Sequence, residues 1–317
     1  MNRGQIRVLN IVNSDRPFLT QTIKSIRDQG IKMDTVKIPG EHEVTNGETS
    51  TRSVIDYIKG YFKILSELDR NYDIIHVHYG IIAPLALAQP VRPVVVSLWG
   101  SDLMGRYAGV TQASLRFCNE VISRSTEMDA IANSNTTVIP HGVDFDKFKP
   151  LCKEKCQEEL GWDKNSKHVL FPYDPTREVK NYPLAEGVVE QVQKTIEEEV
   201  TLHSCSGIKH SLMPRYMNAS DAMILSSYRE GSPNTVKEAM ACNLPIVSTD
   251  VGDVHNLLDQ VDASYVCSNK TDLERSLSLI IQKELQSNGR QAVRHLSLES
   301  TATEIIDVYN RALGQNE

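Results

Sequence analysis

The segment Ala222–Ser248 constrains the fold of this chain most, because it has the pattern of one complete β-α-β unit. The apolar run Ala222–Leu225 predicts a buried strand, and a polar turn follows it. Ser232 and Pro233 are typical of the N-cap and the first position of a helix, so we expect a helix to begin there. Ile246–Ser248 predicts the next buried strand. The turn therefore presents backbone N–H groups at a helix N-terminus, where a phosphate binds favourably.

Short apolar runs alternate with helical patterns along the rest of the chain, which predicts parallel, doubly wound α/β sheets. Further strands are predicted at Arg7–Val12, Val36–Ile38, Ile74–Val77, Val94–Leu98, Val121–Ile122, Val138–Ile139, Val169–Phe171, Thr201–Cys205 and Tyr265–Val266. Further helices are predicted at about Phe18–Gln29, Ser53–Asp69, Tyr182–Glu198, Met213–Asn218, Leu273–Leu285 and Glu299–Ala312. Residues 40–50 are polar and predict a loop.

Two domains of ordinary size fit within the 317 residues. A turn-rich segment, Pro140–Pro150, and a charged one, Lys153–Lys167, separate two α/β halves. Ligands of open α/β sheets bind at the carboxyl ends of the strands, so we expect a cleft between the two halves to hold the ligand.

The charge distribution argues against nucleic acid as a partner. The net charge is −7; residues 1–150 carry 17 Lys and Arg against 16 Asp and Glu, whereas residues 151–317 carry 17 against 25. A basic footprint of the kind that nucleic acid requires is therefore missing from both halves. No stretch has the length and composition of a membrane span or a secretory signal, and the six cysteines lack zinc or disulfide spacing. We expect a cytoplasmic protein with reduced thiols.

Glu230 and Glu238 flank the predicted start of the helix in the β-α-β unit. A carboxylate accepts hydrogen bonds from two neighbouring hydroxyls, so it suits the vicinal diol of a sugar or a ribose. The E-x7-E spacing alone has no value, because Glu178/Glu186 and Glu190/Glu198 share it. From chemistry alone, a loop residue and an exposed helix residue explain the pair equally well.

The stretch 226–254, SSYREGSPNTVKEAMACNLPIVSTDVGDV, resembles the donor-site motif of the family 4 retaining glycosyltransferases. Three further segments resemble the same family: Asp73–His78, Val138–Pro150 and Tyr216–Asp221. The resemblance implies the GT-B fold, in which two Rossmann-like doubly wound α/β domains face each other across a cleft. It divides the chain into an acceptor-side domain, 1–148, and a nucleotide-sugar donor domain, 149–298, with the C-terminal helix at about 299–317 packing back on the first.

The resemblance also implies roles for individual residues. In that family the first glutamate, here Glu230, contacts the donor sugar, and the second, here Glu238, contacts the ribose. The turn Gly231–Ser232 corresponds to the phosphate-binding turn. Asn234 and Thr235 follow it at the donor-binding helix N-terminus.

A basic pair after the first strand of the C-terminal domain is a second feature of that family, and Arg177 and Lys180 match it. Charge develops on the leaving diphosphate in the transition state, so fixed cations there lower the barrier. No metal ligands lie nearby in sequence, and we expect neither a metal nor a cofactor beyond the nucleotide-diphosphate sugar as co-substrate.

The N-terminal half departs from the family pattern. Trp99 stands where a histidine often contacts the donor sugar, and the first loop, Asn13–Phe18, lacks glycine. Asp102 follows a strand end, so it either faces the cleft and positions the acceptor hydroxyl or caps a helix. His76 and His78 lie on another strand, where a buried structural role is the simpler interpretation.

The resemblance therefore implies a retaining, metal-independent glycosyltransferase of hexosyltransferase type. Its partners would be a nucleotide sugar and a glycan or lipid-linked acceptor, as in polysaccharide or glycolipid biosynthesis. A lipid-linked acceptor implies peripheral contact with the inner face of the membrane, which the near-neutral N-terminal half neither supports nor excludes. Two alternatives stay open: a GT-B sugar-nucleotide epimerase, and a non-catalytic nucleotide-sugar-binding partner subunit.

Overall fold

The computed structural model describes residues 5–40, 44–45, 48–49, 52–68, 71–105, 107–132, 134 and 136–315. Its strands are β1 (Arg7–Val12), β2 (Lys32–Lys37), β3 (Val44–Thr45), β4 (Glu48–Thr49), β5 (Ile74–His78), β6 (Val94–Ser97), β7 (Glu120–Ser123), β8 (Thr137–Val138), β9 (Lys167–Phe171), β10 (Val200–Ser204), β11 (Ala222–Leu225), β12 (Ile246–Thr249) and β13 (Tyr265–Cys267).

Helices connect most of these strands. They are α1 (Pro17–Asp28), α2 (Val54–Glu67), α3 (Ala83–Leu87), α4 (Ser101–Met104), α5 (Ala108–Leu115), α6 (Thr126–Ala132), α7 (Lys153–Leu160), α8 (Tyr182–Gln193), α9 (Met213–Ala219), α10 (Asn234–Ala241), α11 (Val254–Leu258), α12 (Lys270–Lys283), α13 (Gly289–Ala292) and α14 (Leu298–Ala312).

The chain forms two compact units. One comprises the residues up to Gly142 together with those from Leu298 onward, and the other is Val143–Ser297. The sheet of the first has the strand order β2-β1-β5-β6-β7-β8, and that of the second the order β10-β9-β11-β12-β13. Every pairing within these two sheets is parallel. The predicted doubly wound α/β class is therefore confirmed.

Both faces of the first sheet are covered, as a parallel sheet requires. Successive side chains of β1 point to opposite faces, so Val8 and Val12 pack with α1 and α14, while Leu9 and Ile11 belong to the apolar layer on the other face. In the second unit a single apolar cluster surrounds the sheet, and α8, α10 and α12 contribute to it.

Helix α14 is joined to the first sheet by a polar contact as well as by apolar packing. The Tyr309 ring is fully buried, and its hydroxyl lies 2.6 Å from Nδ1 of His76 on β5. Nε2 of the same imidazole lies 2.8 Å from the Ser97 hydroxyl on β6. Burial lowers the pKa of His76 to about 3, so the ring is neutral at physiological pH.

Helix α10 begins one residue later than we expected. Pro233 has ψ of 115° and is the N-cap residue, and the helix starts at Asn234. The prediction of Ser232 as the N-cap and Pro233 as the first helical residue was therefore wrong, because Pro233 keeps an extended backbone. No side-chain cap is formed at Pro233, and the Ser232 hydroxyl accepts a hydrogen bond from Nζ of Lys237 at 3.0 Å.

The apolar periodicity of α2 predicted an amphipathic helix, and the helix is present, but Ile55, Ile58 and Phe62 are exposed. Gly60 and Ile64 are the buried residues of this helix.

None of the helices in the described ranges has both the length and the apolar composition of a membrane span. All six cysteines are unpaired thiols.

The Tyr309 hydroxyl provides a test of the α14 contact. We expect Tyr309→Phe to lower the free energy of unfolding by about 1–3 kcal/mol, because it leaves Nδ1 of His76 buried without a partner. Urea unfolding of both proteins measures the difference, and Tyr228→Phe is the matched control since Tyr228 is 70% exposed. Equal destabilisation by the two variants, or none by Tyr309→Phe, would contradict the assigned contact.

Candidate functional site

The residues predicted for the donor site lie in the segments that follow β9 and β11, and the loop that follows β12 packs against them. These three strands are neighbours in the second sheet, so the segments that follow them meet at one edge. Arg177 and Lys180 follow β9, Glu230 and Gly231 follow β11, and Gly252 follows β12. The sequence places these residues in three separate segments, and the parallel sheet brings the segments together.

Glu230 and Lys180 form a buried ion pair. Nζ of Lys180 lies 2.5 Å from Oε1 of Glu230, and the two side chains are 7% and 12% exposed. The Ser227 hydroxyl donates to the same oxygen at 2.7 Å. Burial lowers the pKa of Lys180, while the adjacent carboxylate opposes that shift. The first predicted carboxylate and one predicted cation are thus in direct contact.

Tyr173 lies beneath this pair. Nζ of Lys180 is 3.8 Å from the centroid of its ring, and its hydroxyl is 2.6 Å from the Thr235 hydroxyl at the start of α10. The same hydroxyl donates to Oε1 of Glu230 over 3.4 Å. Burial raises the pKa of Tyr173 well above its usual range, so the phenol stays neutral. Tyr173 therefore fixes the positions of the cation, the carboxylate and the first turn of α10.

The Gly231–Ser232 turn is packed against the loop after β12. The backbone N–H of Asp253 donates to the Gly231 carbonyl at 3.1 Å. Gly252 has φ of +56°, and a Cβ added there would lie 2.3 Å from the Gly231 carbonyl oxygen. A side chain at position 252 would therefore push the two loops apart, so glycine is needed for this close approach.

The first turn of α10 contains polar groups that could bind an anion or a hydroxyl. Lys237 is fully buried, and its ammonium reaches the Ser232 hydroxyl. Oδ1 of Asn234 is buried and accepts no hydrogen bond from the part of the chain that the structure describes. Together with the N–H groups at the helix N-terminus, Lys237 gives this turn a positive potential.

Glu238, the second predicted carboxylate, is 8% exposed and is the first of three side chains joined by hydrogen bonds. Its Oε1 lies 2.7 Å from Nε2 of His210, and Nδ1 of His210 lies 2.7 Å from Nζ of Lys147. The Phe148 ring is 5.4 Å from the imidazole of His210. With Nε2 donating to the carboxylate and Nδ1 accepting from the ammonium, a neutral imidazole satisfies both bonds.

Arg177 is exposed, with its guanidinium carbon 5.8 Å from the centroid of the Tyr173 ring. The turn that carries it is held by Asp174, whose carboxylate accepts bonds from the backbone and hydroxyl of Thr176 and from the Ser206 hydroxyl. These hydrogen bonds lower the pKa of Asp174 to about 2. Arg177 is thus on a fixed turn but, unlike Lys180, does not contact Glu230.

Asp102, in the first unit, is fully buried. Its carboxylate accepts the backbone N–H of Gly80 at 2.7 Å and that of Trp99 at 3.0 Å. Burial raises its pKa, and these hydrogen bonds oppose that shift. Asp102 is the second residue of α4, whose N-cap residue is Gly100 and which has no side-chain cap, so Asp102 is not the helix cap of that helix. Its carboxylate instead joins two loops and is turned away from solvent.

His76 and His78 are also buried, with their rings 4.0 Å apart, and Nε2 of His78 lies 3.0 Å from the Asn10 amide oxygen. Trp99, at the position where a histidine was expected, packs edge-on against Phe18 at 5.2 Å. The structural interpretation of His76 and His78 is the one that these contacts favour.

The first unit contains a cavity of about 500 Å³ with a largely apolar lining. Asn13 and Arg52 are among its polar residues, and the Arg52 guanidinium donates to the carbonyls of Pro39 and Gly40. The remaining lining residues are Val54, Tyr57, Tyr79, Ile81, Pro84, Leu85, Ser101, Gly105 and Tyr107.

Sequence reasoning missed Tyr173, Lys237, His210 and Lys147. Tyr173 carried a signal, because it follows the buried strand β9 by two residues and precedes Arg177 by four. Lys237 lies within the donor-site stretch but looks like an ordinary helix lysine in the sequence. His210 and Lys147 are 28 and 91 residues from Glu238 along the chain, and only the fold brings them together. No cluster of metal-binding side chains occurs in the described part of the chain.

Two family models match the chain. One described as "Glycosyl transferases group 1" covers residues 181–283, and one described as "Glycosyl transferase 4-like" covers residues 7–125. They fall in the second and the first unit respectively, so each half of the chain has its own match.

Two curated proteins are similar over most of their length. The putative teichuronic acid biosynthesis glycosyltransferase TuaC of Bacillus subtilis is 22% identical over 286 residues, covering 76% of this chain and 72% of that protein. The N-acetyl-alpha-D-glucosaminyl L-malate synthase of Bacillus anthracis is 22% identical over 319 residues, covering 84% and 81%.

Solved structures share the fold at low sequence identity. Sucrose-phosphate synthase from Thermosynechococcus elongatus has a TM-score of 0.74 at 16% identity, covering 98% of this chain and all of that one. Anabaena HepE, in complex with UDP and glucose, has a TM-score of 0.68 at 14% identity, covering 97% of this chain and all of that one. With the matches in both units and the two parallel sheets, these similarities lead to one conclusion. The chain belongs to the family 4 glycosyltransferases and has their GT-B fold of two Rossmann-like domains.

Proposed function

We propose that this glycosyltransferase is a retaining enzyme. In this proposal a sugar moves from a nucleotide-diphosphate sugar to a hydroxyl of a glycan or lipid-linked acceptor. The observation that carries the proposal is the buried Lys180–Glu230 pair beside the N-terminus of α10. Such a pair supplies a cation for a phosphate and a carboxylate for sugar hydroxyls at one point. The Anabaena HepE structure in complex with UDP-glucose has the same fold and supports a nucleotide sugar as donor.

In the proposed complex, the diphosphate lies at the Gly231–Ser232 turn, where helix N–H groups and the Lys237 ammonium supply positive charge. Lys180 and Arg177 neutralise the phosphate that leaves, so these cations supply the charge that a metal would otherwise provide. Glu230 accepts hydrogen bonds from the donor sugar, and the buried Oδ1 of Asn234 accepts another. Glu238 accepts the ribose hydroxyls.

The transfer step proceeds on one face of the sugar. The acceptor oxygen forms a bond to the anomeric carbon as the bond from that carbon to the phosphate oxygen breaks. The proton of the acceptor hydroxyl passes to the departing phosphate, which carries away the bonding electron pair. The configuration of the anomeric carbon is retained without a covalent enzyme intermediate. Asp102 takes no part, because its oxygens hold the Gly80 and Trp99 backbones.

We place the acceptor at the cavity of the first unit. Its three tyrosines, Tyr57, Tyr79 and Tyr107, present aromatic faces with polar edges, which suits a sugar or a mixed glycolipid surface. Trp99 and the loop without glycine are the departures from the family pattern in this unit. Both lie outside the donor network of the second unit, so they do not weaken the assignment of the donor site.

The Lys180–Glu230 pair gives the first test of the function. Purified protein is incubated with a panel of nucleotide sugars and glycan or lipid-linked acceptors in excess chelator, and the glycosylated product is detected by mass spectrometry. We expect Lys180→Met and Glu230→Gln each to lower kcat by roughly 10²–10³-fold. Lys180→Met removes a cation that neutralises the leaving phosphate, and Glu230→Gln removes both the carboxylate that holds Lys180 and a hydrogen-bond acceptor of the donor sugar.

Lys167→Met is the matched control for this test. Lys167 also pairs with a glutamate, Glu284, at 2.6 Å, but on the strand end remote from α10. Its activity should equal that of the parent protein. Full activity in Lys180→Met or Glu230→Gln would refute the site. An isomerised nucleotide sugar as the only product would indicate an epimerase instead, and donor binding without turnover would indicate a non-catalytic subunit.

The Glu238 carboxylate gives a second test, through the ribose. We expect the parent protein to bind the nucleotide diphosphate roughly 10-fold or more tightly than its 2′,3′-dideoxy analogue, because a hydrogen bond to a carboxylate contributes about 1.5–3 kcal/mol. In Glu238→Gln this preference should largely disappear. Isothermal titration calorimetry measures both affinities.

His210→Ala separates positioning from contact. Since His210 holds Glu238 without contacting the ligand in this proposal, the variant should weaken donor binding less than Glu238→Gln and should raise KM more than it lowers kcat. An undiminished preference for the ribose form in Glu238→Gln would rule out the assigned contact.

A further inference from the structure

Lys147, His210 and Glu238 of the second unit are joined by two hydrogen bonds, and the lysine lies at the end remote from the carboxylate. Nζ of Lys147 is 2.7 Å from Nδ1 of His210, and Nε2 of His210 is 2.7 Å from Oε1 of Glu238. An ammonium group has donors only, so Nδ1 of the imidazole accepts and the ring proton lies on Nε2. An amine also holds its proton more strongly than an imidazole, since their ordinary pKa values are about 10.4 and about 6.5. Lys147 therefore determines which tautomer of His210 faces Glu238.

Lys147 lies on a turn whose backbone is held from two sides. The Asp144 carboxylate accepts the backbone N–H of Lys147 at 3.0 Å. The Arg290 guanidinium donates to the carbonyls of Phe148 and Phe145 at 2.7 Å and 3.0 Å. The Phe148 ring is buried, and Nζ of Lys147 lies 4.9 Å from its centroid. These contacts direct the ammonium toward the imidazole.

The other titratable groups near these side chains keep one charge state at neutral pH. Burial lowers the pKa of Lys147, while the carboxylates of Glu238 and Asp144 oppose that shift. Tyr173 and Cys242 lie within electrostatic reach of Glu238. Burial raises the pKa of Tyr173 well above its usual range and that of Cys242 to about 12, so both stay neutral. The imidazole is thus contacted by one cation and one carboxylate.

We propose that Lys147 is a positioning residue that keeps the His210 imidazole neutral, with its N–H directed at Glu238. An imidazolium would place two cations 2.7 Å apart and leave the proton on Nδ1 without an acceptor. A neutral imidazole also leaves the negative charge of Glu238 available to the ribose hydroxyls, a consequence that rests on the proposed function. Ribose recognition would then be constant over the pH range in which imidazoles ordinarily titrate.

The tautomer of His210 can be read without any ligand, by long-range ¹H–¹⁵N NMR of the full chain labelled in histidine. We expect the Nε2–H form in the parent protein throughout the range of roughly pH 5.5 to 8. In Lys147→Met the imidazole should take up a proton within that range, because Nδ1 is then free to bind one. His210→Gln identifies the signal.

Two further lysine variants serve as controls. Lys147→Arg should behave as the parent protein, because a guanidinium also has donors only. Lys149→Met removes an exposed lysine from the same segment and should leave the His210 signals unchanged.

The consequence for the ribose is measured by calorimetry with a nucleoside diphosphate and its 2′,3′-dideoxy analogue. The ratio of the two affinities cancels the titration of the phosphates, which both ligands share. We expect this ratio to be constant with pH in the parent protein and in Lys147→Arg. In Lys147→Met it should fall about fivefold on acidification, because a carboxylate whose charge is balanced by an imidazolium binds a hydroxyl about as strongly as a neutral acceptor does.

The proposal is overturned if His210 takes up a proton in the parent protein as readily as in Lys147→Met, or if that variant leaves the tautomer and charge of His210 unchanged. A loss of ribose preference in Lys147→Met that is equal at every pH would show a purely structural role and would also overturn it. A parent protein without ribose preference at any pH would refute the ribose contact of the proposed function, while the NMR measurement still tests the role of Lys147.

Discussion

The buried pair of Lys180 and Glu230 is the interaction on which the candidate donor site depends. Removing two charges from water costs several kcal/mol per ion, and the mutual attraction recovers this only with good geometry and further hydrogen bonds. The 2.5 Å contact between Lys180 and Glu230 provides the geometry. The Ser227 hydroxyl donates a further hydrogen bond to the carboxylate, and the Tyr173 ring packs against the ammonium. An apolar pair of the same volume would fit the core with less cost, so the charges are better explained by a ligand than by stability.

The surrounding groups follow from that pair. Tyr173 connects it to the first turn of α10 through Thr235, and Gly252 allows the loop after β12 to support the Gly231 turn. The helix N-terminus and the buried Lys237 ammonium then make the turn positive at the point where a diphosphate would lie. Further along the same helix, Glu238 is held by His210. Both carboxylates are thus held by cationic or hydrogen-bonded partners, which keeps their oxygens in fixed positions before a ligand arrives.

The fold was predictable because both sheets are parallel and buried on two faces. Their strands are short apolar runs, and these stand out between amphipathic helices. The predicted start of α10 was one residue too early, because proline is as compatible with the N-cap position as with the first helical position. The exposure of Ile55, Ile58 and Phe62 on α2 could not be predicted. Periodicity shows which residues share a face of a helix, but not whether that face meets the sheet or the solvent.

The site was predictable only in part. The stretch around Glu230 and the position of Lys180 followed from the family resemblance, because their spacing from strand ends is local in sequence. Tyr173 was missed although its place two residues after β9 was a local signal, whereas His210 and Lys147 were missed because their contacts join segments far apart in the chain. The sequence left two roles open for Asp102. In the structure the side chain is buried and its carboxylate accepts the N–H groups of Gly80 and Trp99, and neither its burial nor these contacts can be predicted from the sequence.

A crystal structure with a bound nucleotide-diphosphate sugar tests the central claim most directly. The account predicts the diphosphate at the Gly231–Ser232 turn, with Nζ of Lys180 within hydrogen-bond distance of a phosphate oxygen and Glu230 bonded to a sugar hydroxyl. A nucleotide bound elsewhere, with the Lys180–Glu230 pair intact and remote from it, would contradict the account.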